Sequence, residues 1–155
     1  MFFSFLLIIQ SFRKKHFLPT VKETILLNET KLTVYVVDDD ASVRQALVLL
    51  LISAGMEVVT FKSAAECLEY ELKEKDSCLI TDIKMPRISG LELQQKLTER
   101  KIKIPVIFLT AFDSEEIRKQ VKKLGAEGYF RKPVDDQALL DGILWAVSRS
   151  VSSNS

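Results

Sequence analysis

The sequence predicts an α/β fold, a parallel sheet with helices on both faces, on three observations. From Lys31 onward, short apolar runs alternate five times with segments whose apolar residues recur at helical spacing, the pattern of strands joined by crossover helices. The runs are short and bounded by Gly, Pro or acidic residues, as buried strands require. With 155 residues the chain has length for one domain with a sizeable core.

The first strand is expected from Leu32 to Val37, running into Asp38, Asp39 and Asp40. The helix after this acidic triplet places Val43, Ala46, Leu47, Leu50 and Ala54 on its inner side, and Gly55 ends it. Met56 to Phe61 is the second strand. Ser63 and Glu66 form a capping box that opens the second helix, with Cys67, Leu68 and Leu72 facing inward. The third strand ends at Asp82, after which Pro86 and Gly90 punctuate a loop into a helix from near Ser89 to about Arg100. Pro105 introduces the fourth strand, Val106 to Thr110.

A second capping box is read at Asp113 and Glu116, followed by Ile117, Val121 and Leu124 on an inner face that Gly125 stops. The outer face of that helix carries Arg118, Lys119, Lys122 and Lys123, a solvated basic face that an acidic partner could also meet. Gly128 to Arg131 is the fifth strand. After Lys132 and Pro133 the last helix turns Leu139, Leu140, Ile143, Leu144 and Val147 inward, and Ser148 to Ser155 reads as a polar tail. Domain boundaries follow: an extension over 1–30, one domain over 31–150, and a tail over 151–155.

Composition bounds the function. Twenty-two basic against 21 acidic residues give a net charge of +1, so no global field draws the chain to nucleic acid or membranes. Cys67 and Cys78 are too few for a disulfide framework and show no zinc spacing, and they read as reduced, buried cytosolic thiols. The extension has its own character: an apolar run, Phe2 to Ile9, precedes a basic cluster, Arg13 to His16. That run is about half the roughly 20 residues of a spanning helix, and its charge follows the apolar part where a secretory signal would place it before. An interfacial helix end, a partner-binding extension and residues upstream of the true start all remain open for it.

The chemistry is expected at the carboxyl ends of the strands, where ligands bind in open α/β sheets. Asp38 and Asp39 follow the first strand, Asp82 ends the third, Thr110 the fourth, and Lys132 follows the fifth. A carboxylate that accepts a phosphoryl group needs a divalent cation beside it, because the entering group is dianionic. Asp38, Asp39 and Asp82 suit Mg²⁺, which takes few protein oxygens and keeps its waters. Lys132 offers a positive partner and Thr110 a hydroxyl donor to the phosphoryl oxygens.

Val36-Val37-Asp38-Asp39, Thr81-Asp82-Ile83-Lys84-Met85-Pro86, Gly90, Leu109-Thr110-Ala111 and Lys132-Pro133 together resemble the receiver domain of bacterial two-component response regulators, over roughly Leu32 to Val147. Any one of these motifs alone would be a helix-end acid cluster, a loop or a strand aromatic; the constellation is specific. The resemblance implies a flavodoxin-like doubly wound five-stranded sheet of order 2-1-3-4-5 with five helices. It implies Asp82 as phosphoacceptor, Asp38, Asp39, Asp82 and the Lys84 backbone carbonyl as Mg²⁺ ligands, and Lys132 as phosphate contact. Thr110 and Tyr129 match the family's switch pair, and Pro133 a position with a cis peptide bond. The donor implied is a sensor histidine kinase or histidine phosphotransfer protein. The switch would repack the surface of the fourth helix, fifth strand and fifth helix toward an unidentified protein partner. Lys84 and Phe112 match positions that flank the path of attacking water, and a bulky Phe112 is expected to slow hydrolysis.

Within the family the sequence reads closest to receivers that precede LuxR-type DNA-binding domains. Few residues follow the last helix, so a stand-alone cytoplasmic receiver is expected, without direct nucleic-acid contact or enzymatic activity, and with room for a phosphorylation-dependent homodimer. Two rivals stay in view. A haloacid-dehalogenase-type phosphatase would use Asp38 as nucleophile and Asp40 as general acid, and a degenerate receiver would be a phosphorylation-independent scaffold. A nucleotide-binding module is disfavoured, since no GxGxxG or GxxxxGK loop is present.

Overall fold

Five strands set the frame: β1 (Thr33–Val37), β2 (Glu57–Phe61), β3 (Ser77–Asp82), β4 (Val106–Thr110) and β5 (Gly128–Arg131). They form one parallel sheet in the order β2-β1-β3-β4-β5. The computed structural model of the chain describes residues 31–153. The extension over 1–30, with its apolar run and basic cluster, therefore lies outside the described residues. Between and after the strands run α1 (Ala41–Ser53), α2 (Ala64–Glu69), α3 (Gly90–Glu99), α4 (Glu115–Lys123) and α5 (Asp136–Ser152).

The period of two along a strand divides the core into two layers. Val34, Val36, Ile80, Ile107 and Leu109 face Leu47 and Leu51 of α1 and Leu139, Ile143 and Ala146 of α5. Tyr35, Val37, Leu79 and Phe108 face Cys67 of α2, Leu93 and Leu97 of α3 and Val121 of α4. Central strands covered on both sides are apolar on both faces, which is why β1, β3 and β4 carry the hydrophobic runs Val34 to Val37, Cys78 to Ile80 and Val106 to Leu109. Both cysteines are buried and free, and burial pushes the Cys67 thiol up to about 12 and Cys78 higher still.

Three expectations change. On α1 Leu47, Leu51 and Ala54 are buried and Val43 and Leu50 pack partly buried against the same core, while Ala46 is exposed and Leu51 takes the inner place instead, having more apolar area to withdraw from water. The cap of α4 is Ser114, whose hydroxyl accepts from the Ile117 amide at 3.2 Å, so the Asp113 to Glu116 box does not form. Ser and Asp are comparable caps, and adjacent candidates leave the boundary open by one residue in sequence alone. Finally, the stretch read as a tail from Ser148 is helical through Ser152. The hydroxyls of Ser148, Ser150 and Ser152 donate back to the carbonyls of Trp145, Val147 and Ser148, satisfying serine inside the helix. Gly55 and Gly125 stand at positive φ just beyond α1 and α4, as the helix-end readings required.

Candidate functional site

The strand order reverses between β1 and β3, the point at which the connecting loops diverge and leave a crevice at the carboxyl edge. Asp38 and Asp82 stand on either side of it. One carboxylate oxygen from each of Asp38, Asp39 and Asp82 lies within 4.8 Å of the others. Asp38 is buried, Asp82 half-buried and Asp39 exposed, so the cluster opens outward.

Asp38 and Asp82 are each held from behind. Asp38 Oδ1 accepts from the Asp40 amide at 2.9 Å, and the Asp38 carbonyl accepts from Arg44 Nη1 of α1 at 2.7 Å. Asp82 Oδ1 accepts from the Ile83 amide at 2.7 Å. Across the crevice Lys132 Nζ donates to Asp38 Oδ2 at 2.7 Å and to Asp82 Oδ2 at 3.2 Å. Lys132 is in turn fixed by its own amide, which donates to the Thr110 carbonyl at 2.8 Å, and the Lys132–Pro133 bond that follows it is cis.

Desolvation raises the Asp82 carboxyl above the usual range; Lys132 opposes this and the Asp38 charge adds to it. For Lys132 desolvation is the largest influence and acts downward, but the hydrogen bond and charge of Asp38 with the charge of Asp82 together carry the ammonium upward. Two of the three clustered carboxylates thus share one ammonium. The donors are hard oxygens, three acids converging on one point, and they fit a small divalent cation such as Mg²⁺.

Gly90 has a role the sequence left unassigned. A Cβ at this position would come within 2.0 Å of the Asp82 carbonyl oxygen. The first turn of α3 therefore rests directly on the backbone of Asp82, tied further by the Gly90 amide donating to the Ile83 carbonyl at 2.9 Å. Arg44 is also new, and the only signal for it was its place in the first turn of a helix opening beside the acids.

The side chains of the remaining expected residues take partners outside the acid cluster. Thr110 is fully buried, and its hydroxyl is engaged with Phe112, donating to the carbonyl at 3.1 Å and accepting from the amide at 3.0 Å. Tyr129 points away, its hydroxyl donating to Asp113 Oδ1 at 2.9 Å. The Lys84 ammonium sits over the Phe112 ring, 3.8 Å from its centroid. Asp40, the general acid of the phosphatase alternative, spends its carboxylate capping α1 through the Ser42 amide at 2.8 Å.

A sheet of this order with an acid cluster at its switch point and a lysine after the last strand defines a phosphoryl-handling receiver architecture. Comparison with known proteins agrees: residues 34–144 match the response regulator receiver domain. The chain belongs to that family. It is 43% identical over 111 residues to the transcriptional regulatory protein TdiR of Thauera aromatica, covering 72% of this chain and 49% of that one. It is 41% identical over 120 residues to nodulation protein W of Bradyrhizobium diazoefficiens, covering 77% and 53%. Among solved structures, FixJ-N superposes with a TM-score of 0.71 at 32% identity, covering 77% of this chain and 95% of that one. The response regulator StyR superposes at 0.74 with 42% identity, covering 81% and 63%. The chain spans about half the length of the curated relatives it matches. Among the described residues no helix is long and apolar enough to cross a membrane.

Proposed function

We propose that Asp82 is the phosphoacceptor of this receiver, taking a phosphoryl group from the phosphohistidine of a sensor histidine kinase or histidine phosphotransfer protein. An Asp82 oxygen attacks phosphorus, the P–N bond breaks, and the imidazole leaves with the electron pair and gains a proton, giving an acyl phosphate. Asp38, Asp39, Asp82 and the Lys84 backbone carbonyl would hold Mg²⁺, which supplies positive charge to the phosphoryl oxygens when bound. Lys132 bridges Asp38 and Asp82 and stands ready to exchange its carboxylate partners for the incoming oxygens. The single observation behind this reading is that bridge, with Asp82 half-open at the mouth of the cluster.

The added charge, about −1.5 to −2 near neutral pH, would draw the Thr110 hydroxyl off Phe112 and let Tyr129 turn inward, repacking the face of α4, β5 and α5. The receiver then acts in the cytoplasm by protein contact, with a second phosphorylated copy as one candidate partner. The balanced net charge of +1 gives no support to direct nucleic-acid binding by this part.

The test is intact-mass measurement after incubation with Mg²⁺ and acetyl phosphate. Wild type should gain one phosphoryl group that is lost on chelation of the metal during labelling, and Asp82→Asn should gain none. Equal labelling of the two proteins refutes the assignment.

A further inference from the structure

We propose that Asp113, fixed by Arg118, is a latch that holds the Tyr129 hydroxyl outward and sets how readily the switch surface converts. The proposal rests on reading Thr110 and Tyr129 as the switch pair and adds to it the residues that bias the pair at rest.

Because Ser114 caps α4, the Asp113 carboxylate is free for other partners: among the described residues it bonds Arg118 and Tyr129, and Arg131 of β5 adds a further positive charge. Asp113 Oδ1 accepts from Arg118 Nε at 2.7 Å and from the Tyr129 hydroxyl at 2.9 Å, while Oδ2 pairs with Arg118 Nη2. A two-point guanidinium fork fixes the plane of a carboxylate. The Tyr129 hydroxyl thus meets an acceptor that is charged, oriented and part of α4 through Arg118. The Arg118 hydrogen bond holds the Asp113 carboxyl below the usual carboxylate range, so the acceptor is ionised at neutral pH.

The same short loop carries the other half of the switch. Thr110 closes on Phe112, whose amide and carbonyl both bond its hydroxyl, and Asp113 is the next residue. Moving the Thr110 hydroxyl toward Asp82 must break both bonds to Phe112, and so loosens the backbone that presents the Asp113 carboxylate to Tyr129. One segment therefore joins capture of Thr110 at one end to release of Tyr129 at the other. Arg118 belongs to the basic face of α4, where its side chain is 62% exposed against 12% for Asp113. The latch is thus within reach of whatever docks on that helix.

The test uses the full chain carrying fluorotyrosine, with the Tyr129 resonance assigned by its loss in Tyr129→Phe, at neutral pH. The reference for the inward state is wild type with Mg²⁺ and beryllium fluoride, a phosphoryl mimic. Without the mimic, Asp113→Ala and Asp113→Asn should move the Tyr129 resonance toward the reference, and Arg118→Gln should do so to a smaller extent. The inward population should rise about 2- to 10-fold, the change one ordinary hydrogen bond makes in an equilibrium constant. By linkage the mimic concentration for half-conversion should fall by the same factor. In a Tyr129→Phe background, where half-conversion is read from the fluorine signal of the bound mimic itself, Asp113→Ala should leave that concentration unchanged. A resting resonance in both Asp113 variants identical to resting wild type overturns the latch, as does an undiminished effect in the Tyr129→Phe background. If wild type itself ignores the mimic, the phosphoacceptor reading fails first, and that failure is visible before any variant is compared.

Discussion

Lys132 and Asp38, 94 residues apart in sequence, meet at 2.7 Å across the carboxyl edge of the sheet, and the same ammonium reaches Asp82 at 3.2 Å. One positive charge is thereby divided between two of three clustered carboxylates. The pocket is short of positive charge by itself, and this is the electrostatic reason that it should take up a divalent ion.

The first prediction follows from that shortage. Desolvation and the Asp38 charge disfavour the ionised form of Asp82, so Asp82→Asn should be more resistant to thermal unfolding than wild type in EDTA. Mg²⁺ should reverse the order. At 100 times its dissociation constant it should stabilise wild type by about 2.7 kcal/mol by mass action, and the variant by clearly less. A melting-temperature titration with Mg²⁺ checks this, and identical shifts in the two proteins would show that Asp82 is not a ligand.

Gly90→Ala should cost about 1–3 kcal/mol of stability, the range for forced overpacking. The added Cβ would lie 2.0 Å from the Asp82 carbonyl oxygen, and that atom belongs to a central strand with little room to yield. Either α3 or the end of β3 must shift, and the latter moves Asp82, the proposed phosphoacceptor. Urea unfolding gives the stability change, and acetyl phosphate labelling of the folded variant gives the displacement of Asp82. A variant matching wild type in both measurements would mean the helix adjusts without disturbing the site.

How far the sequence revealed this site depends on how local each feature is. Asp82, Thr110 and the five strands are legible because a buried strand must be apolar and its polar terminus is then conspicuous. The two-layer core follows from the same strands, since residues two apart share a face. The role of Gly90 was not legible, because a glycine chosen for close approach of a helix to a strand's backbone looks the same as one chosen for a turn. Asp113 was misread for a related reason: its partner Tyr129 comes from β5, and only the fold brings the two together, while Ser114 beside it serves equally well as a cap. Arg44 bonds a backbone carbonyl, and such a contact leaves no residue-type signature on the partner.

The Asp113 contacts should make stability depend on acid pH in a defined direction. The Arg118 hydrogen bond, and after it the Tyr129 hydroxyl, hold the folded carboxyl below its ordinary value of about 3.9. A depressed folded value means the stabilisation is fully present above the unfolded value and is lost as pH falls through the folded one. The difference in urea midpoint between wild type and Asp113→Asn should therefore be constant from pH 7 to about 5, then shrink as pH falls below the ordinary carboxylate value. A gap that stays constant into strong acid would show that the carboxylate's charge is not what Arg118 and Tyr129 recognise.

The last prediction concerns how long the phosphoryl group would persist. Phe112 is 52% exposed, and the Lys84 ammonium lies against its ring, so the two residues that follow Asp82 and Thr110 by two positions touch each other. An exposed cation–π contact is worth about 0.5–1 kcal/mol, enough to keep the pair closed for most of the time but not to lock it. If that pair shields the acyl phosphate from water, Phe112→Ala should lose the group about 2- to 5-fold faster, the same energy expressed as a rate. Stability should fall by no more than about 1 kcal/mol, the value of the lost contact at a half-exposed ring. Lys84→Ala separates the causes: a matching acceleration points to the contact, and an unchanged rate points to the bulk of the ring alone. Decay of radiolabelled protein after removal of the phosphodonor measures both, and a Phe112→Ala decay no faster than wild type would remove Phe112 from any part in shielding the site.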